Sequence, residues 1–112
     1  MYKRLLAQEP FLRLLASSNP KRRKLLLQHA TKEELKTLFE ICLNIIKKNI
    51  PLKQDQFKKL NRYKSLVREL GSKRVTLKRK NQLIHQKGGA IGAVVGTVAN
   101  LVLPLLASLL RK

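Results

Sequence analysis

The residues best able to do chemistry in this chain are cations, and the chemistry they favour is electrostatic. Lys21, Arg22, Arg23 and Lys24 are consecutive. Lys58, Lys59 and Arg62 recur at helical spacing, and Lys73, Arg74, Lys78, Arg79 and Lys80 crowd a third segment. The 112 residues hold 25 Lys and Arg against 6 Asp and Glu, a formal net charge of +19. Such an excess repels itself when the chain is compact, and a polyanion relieves it. The natural partners are nucleic acid or an anionic membrane surface. Each phosphate neutralised releases counterion, so binding of this kind is strongly salt-dependent. Three Phe, two Tyr and no Trp supply few platforms for stacking single-stranded bases. Nucleic acid bound through its phosphates without sequence preference is therefore expected, with DNA and RNA both open at this point. A helix-turn-helix built from 21–30 and 31–48 would put Leu25, Leu26 and Leu27 where polar readout side chains are needed. The run from Lys21 to Lys24 also fits the weak pattern of a nuclear localisation signal.

No catalytic set accompanies these cations. Cys42 is the sole cysteine, and His29 and His85 are the only histidines, which does not approach zinc-ligand spacing. No phosphate-binding Walker loop, dinucleotide fingerprint or Ser-His-Asp set occurs. The expectation is a protein that is not an enzyme and has no catalytic residues, no metal, no cofactor and no small-molecule substrate. A single cysteine permits no internal disulfide, which fits a reducing compartment. Cys42 falls on an apolar stripe and is expected to be a small core residue.

The elements that must position the cations read as helices throughout. Residues 1–18 form an amphipathic N-terminal arm or a short helix covering the core, with Pro10 in the first turn of a helix reaching Ser17. Gln8, Glu9, Pro10 and Arg13 break the run that a signal peptide would need. Asn19 can cap a helix with Pro20 at its first position. Thr31 and Glu34 form a capping box before Leu35, Leu38, Phe39, Cys42, Ile45 and Ile46. Pro51 ends that helix. A further helix over 54–70 turns Phe57, Leu60, Tyr63, Val67 and Leu70 inward, and Gly71 is expected to stop it as a left-handed cap. Ser72 is expected to cap a basic helix or linker over 73–87, ordered on binding nucleic acid or simply solvated. The fold class is all-α: a small helical unit of about three to four helices, followed by a hydrophobic C-terminal helix. Its parts are the arm at 1–18, a basic helical domain at 19–71, a basic helix or linker at 72–87 and a hydrophobic Gly-rich tail at 88–112.

That tail carries no charge from Gly88 to Leu110, longer than the ~18 apolar residues that nominate a membrane span. Gly88, Gly92 and Gly96 fall four apart and make one smooth face for close helix packing. Pro104 is tolerated within a helix in lipid. Lys87 before the span, and Arg111 with Lys112 after it, are placed to hold two membrane interfaces. Insertion in an intracellular membrane as a tail anchor, membrane disruption, and burial inside an oligomer through self-association all fit this pattern.

A basic body over 20–87, the Asn49-Ile50-Pro51-Leu52 break, and Gly88-Gly89 running into a Gly/Ala/Val/Leu tail with an internal Pro-Leu-Leu resemble the precursors of adenovirus core protein X. Small basic proteins of adintoviruses and Maverick/Polinton elements are similar. The resemblance implies a late virion core protein that condenses packaged double-stranded DNA, found in the virion and the host nucleus. It also implies processing by a viral protease near Gly88, Gly89 and Ala90. Gln86 stands where that cleavage pattern prefers an aliphatic residue.

Overall fold

Short polar residues set the starts of the helices. Asn19 Oδ1 accepts a hydrogen bond from the Arg22 amide at 2.8 Å. Thr31 and Glu34 close the expected capping box, with Thr31 Oγ1 accepting from the Glu34 amide at 3.1 Å and Glu34 Oε1 from the Thr31 amide at 2.8 Å. Each bond satisfies an amide that has no partner inside its helix. Thr76, rather than Ser72, caps the basic helix: its Oγ1 accepts from the Arg79 amide at 3.1 Å, while Ser72 Oγ closes a turn on the Arg74 amide.

The computed structural model describes residues 2–110; Met1, Arg111 and Lys112 lie outside it, and with them the anchoring role read for the last two. Among the described residues there are eight helices and no strand: α1 (Tyr2–Ala7), α2 (Glu9–Ser17), α3 (Pro20–Gln28), α4 (Lys32–Ile46), α5 (Gln54–Asn61), α6 (Lys64–Gly71), α7 (Leu77–Gln86) and α8 (Gly88–Leu110). The all-α class with an apolar C-terminal helix stands. The count of three to four helices before it does not, for two reasons. The N-terminal arm makes two helices, α1 and α2, and the expected helix over 54–70 breaks at Arg62 and Tyr63 into α5 and α6. At the break the Tyr63 amide bonds the Leu60 carbonyl, a tighter turn than the α-helical spacing.

α8 lies at the centre. Ile91, Val94, Val95, Val98, Ala99, Leu101, Val102 and Leu106 are buried, and α1, α2, α3, α4, α5 and α7 all pack against it. α2 covers it with Leu12 and Leu15, which are fully buried. The sequence sets 88–112 apart as a tail; within the fold Gly88–Leu110 is the helix around which the others assemble. Pro104 lies inside α8 on its exposed side with Asn100 and Leu105. The Asn100 carbonyl thereby loses its usual helical donor where water can replace it.

α4 packs mainly on α6. Leu35, Leu38, Phe39, Cys42 and Ile45 of its stripe are buried, and so are Thr37 and Ile41 beside the stripe, while Ile46, at the end of α4 and read as part of the stripe, is exposed; α8 covers α4 from a second side. Phe57, read as an inner residue, is 55% exposed. Gly71 is not a left-handed cap: it is the last residue of α6, and no glycine has positive φ among the described residues. Its role is close approach. A Cβ there would lie 2.7 Å from the Leu43 amide nitrogen and 2.9 Å from the Cys42 carbonyl carbon. The left-handed residue is Lys48, at φ 60. It terminates α4 with the Lys48 amide on the Ile45 carbonyl and the Asn49 amide on the Asn44 carbonyl, the paired pattern of a Schellman end.

Candidate nucleic-acid interface

The Lys21–Lys24 run opens α3, where four cations oppose the positive end of the helix dipole. Lys21, Arg22 and Lys24 are exposed. Arg23 turns inward: its Nε donates to the Leu15 carbonyl at 2.7 Å and its Nη2 to the Ala16 carbonyl at 3.2 Å. Those carbonyls belong to the last turn of α2 and lack partners within it, and a cation there also favours the negative end of that helix. The guanidinium lies directly over Gly96, where a Cβ would collide with it, and the stem of Lys24 lies 3.0 Å from the Cβ position of Gly88. The glycine row of α8 is thus a seat for α3. Of the four cations, Arg23 joins α2, α3 and α8, leaving three to face solvent.

Lys58, Lys59 and Arg62 are exposed along α5 and just past its end. Lys59, Arg62 and Tyr63 line a shallow groove against Ala93 and Thr97 of α8. Ala93 and Thr97 each follow a glycine of the α3 seat by one residue, about 100° round the helix. α3 and α5 therefore flank α8 on different faces.

The third cluster divides. Lys73 and Arg74 are exposed in the α6–α7 turn, and Lys78 and Arg79 are exposed on α7. Lys80 is 7% exposed and sits among apolar groups, its ammonium 4.9 Å from the centroid of the Phe39 ring. Its position explains this. Residues 80, 83 and 84 share one helical face, and Leu83 and Ile84 are both fully buried. That spacing is visible in the sequence, so a charged residue on the inner stripe of α7 was legible there. Burial pushes the Lys80 ammonium below the ordinary lysine range, opposed by the nearby Cys42. Burial also pushes the Cys42 thiol up to about 12, with Lys80 pulling the other way. A buried thiol held protonated is a poor nucleophile.

The acids are mostly occupied locally. Glu40 pairs with Arg4 at 2.6 Å, Glu9 with Arg13, and Glu33 with Lys36 at 4.0 Å, while Glu34 serves the capping box. Among the described residues none of the twelve cations named above makes an ion pair, and ten of them are exposed. No group of three or more His, Cys, Asp or Glu is placed to hold a metal among the described residues. Gly88, Gly89 and Ala90 form the first turn of α8, Gly88 buried beneath Lys24 and Gly89 exposed. A protease acting there would first have to unwind that turn, since nicking favours exposed loops. The chain matches no family model, no curated protein and no solved structure.

Proposed function

We propose that this protein is a non-enzymatic, sequence-nonspecific binder and condenser of double-stranded DNA. The observation that carries the reading is the set of ten exposed cations on α3, α5 and its end, the α6–α7 turn and α7 that make no ion pair among the described residues. Because α3 and α5 flank α8 on different faces, one molecule presents cations to two duplexes at once, which condensation requires and simple coating does not. The proposed phosphate contacts are Lys21, Arg22, Lys24, Lys58, Lys59, Arg62, Lys73, Arg74, Lys78 and Arg79. A setting in a viral or transposon core particle rests on the resemblance of the basic body and Gly-Gly tail alone. Filter binding across a salt series tests the binding, and light scattering of DNA with added protein tests the compaction. The logarithm of the affinity should fall linearly with log salt, and the affinity should be equal for unrelated duplexes. A salt-insensitive affinity or a strong preference for one sequence would overturn the proposal.

A membrane-active reading has one observation in its favour. Gly88–Ser108 is long and apolar enough to cross a bilayer, though over half of its most apolar stretch is buried within the fold. Membrane insertion would require the bundle to open and release α8 from the helices around it. Leakage from anionic vesicles tests this reading, and its absence under conditions where DNA is compacted removes it.

A further inference from the structure

Lys80 carries a charge that the rest of the fold leaves unanswered. It is more than nine-tenths buried, and its ammonium takes part in no hydrogen bond or ion pair among the described residues. The burial is mostly that of its stem; the ammonium keeps access to solvent, partly desolvated, and the cation–π contact with Phe39 offsets only part of that cost. The ammonium belongs to the wall of a cleft of about 580 Å³ between α4, the α6–α7 turn and α7, a size typical of small-ligand sites. Arg4 from α1, Lys36 and Lys47 from α4, and Lys73 from the turn line the same cleft. Glu40 is its one carboxylate, and Arg4 already holds it. Five cations against one acid leave a formal +4 in one cleft, which attracts an entering anion.

We infer that this cleft binds a compact anion with two or more phosphoryl groups, Lys80 donating to it from the floor and Lys36, Lys47 and Lys73 from the rim. A single phosphate would leave most of the volume empty. The phosphates of a duplex run along a wide rod and meet exposed cations, Lys73 at the cleft rim among them, whereas Lys80, which is 7% exposed, suits a small ligand that enters. Ammonium groups donating to phosphoryl oxygens form the stronger, charge-assisted class of hydrogen bond, and a bound anion opposes the desolvation that lowers the Lys80 pKa. The inference does not rest on the DNA reading.

Isothermal titration of the full chain with sodium tripolyphosphate at physiological ionic strength tests it. One saturable site is expected. Lys80→Met, which keeps an unbranched side chain on the inner stripe, should weaken binding about tenfold, the loss of one charge-assisted contact. Lys73→Met at the rim should weaken it by a smaller factor. Lys64→Met removes the same formal charge from the exposed surface of α6, outside the cleft, and should leave the site almost unchanged. Equal effects of Lys80→Met and Lys64→Met, or several equivalent weak sites, would overturn the inference. Should Lys80→Met fail to fold by circular dichroism, Lys73→Met against Lys64→Met decides in the same way. A short duplex added to the complex separates the two sources of phosphate. Tripolyphosphate retained in the presence of duplex supports the small ligand, and one-for-one displacement assigns the cleft to DNA phosphates and overturns it.

Discussion

Two close helix approaches in this molecule rest on glycine and are closed by different chemistry. At Gly71, α6 meets α4 backbone to backbone, and the nearest groups to a Cβ are the Leu43 amide nitrogen, the Ile46 Cδ1 and the Cys42 carbonyl carbon, all within 2.9 Å. At Gly88, Gly92 and Gly96, α8 meets α3 largely through long cationic side chains, Lys24 and Arg23. Backbone within a packed helix cannot retreat without moving the helix. A guanidinium or an ammonium stem can swing to another rotamer, at the loss of the contacts it made. The first approach is rigid and apolar. The second is adjustable and carries charge, with Arg23 turned inward onto the Leu15 and Ala16 carbonyls.

The largest effect that would sharpen this contrast is Gly71→Ala. It should lower unfolding stability by about 3 kcal/mol in urea denaturation, the upper part of the range for overpacking. A loss below about 0.5 kcal/mol would show that α4 and α6 separate freely and would break the comparison. Next comes Gly96→Ala, which displaces the Arg23 guanidinium from the Leu15 and Ala16 carbonyls and should cost about 1–2 kcal/mol. On an Arg23→Ala background the same change should become neutral or stabilising by about 0.5 kcal/mol, since alanine favours the helix over glycine. A double-mutant cycle by urea denaturation reads this coupling. An equal cost in both backgrounds would place the constraint elsewhere.

The rigid side also holds a titrating group. The Cys42 thiol is raised in the folded protein to about 12 from an ordinary 9.0, so above that ordinary value the unfolded chain gives up a proton that the folded chain keeps. Its contribution to stability is therefore full below pH 9.0 and is lost as pH rises toward about 12. The slope for one group is at most about 1.4 kcal/mol per pH unit. Lys80 runs oppositely. Its folded pKa lies below the ordinary 10.5, so the unfolded chain binds more protons in that window and stability rises with pH through it. Cys42→Ala removes only the first contribution, and between about pH 8 and 10 it should lose about 1 kcal/mol less stability than the wild type. Denaturant melts at the two pH values measure the difference, and parallel pH profiles would exclude a buried thiol. The smallest effect is Gly92→Ala. The nearest groups, at 3.7 and 3.9 Å, are in ordinary contact, and the helix propensity gained should raise stability by about 0.5 kcal/mol in the same assay.

Features encoded within a few residues of themselves were legible in the sequence. The Asn19 cap, the Thr31–Glu34 capping box and the buried stripe of α4 each depend on neighbours three or four positions away, so reading them needs no partner. Gly71 illustrates the opposite. A glycine at the end of an apolar stripe suits a left-handed cap or a close crossing equally, and only the arrival of α4 chooses between them. The break at Arg62–Tyr63 carries no Gly or Pro to announce it. Among the cations, Arg23 is chemically the same as Arg22, one residue before it, yet the free carbonyls of α2 draw it inward. Lys80 was more readable than it first looks, because Leu83 and Ile84 mark its face as the inner one.

Composition and local spacing by themselves determined the helical class, the helix starts at Asn19 and Thr31, the excess of positive charge and the uncharged apolar run from Gly88 to Leu110. Only the tertiary structure decided what that run does within the fold. A helix that is apolar all round satisfies a bilayer and a protein interior alike, since both lack water and select the same side chains. What distinguishes them is whether amphipathic helices are present to cover it. Here α2, α5 and α7 supply those faces, and the glycine row read as a packing surface receives α3 of the same chain.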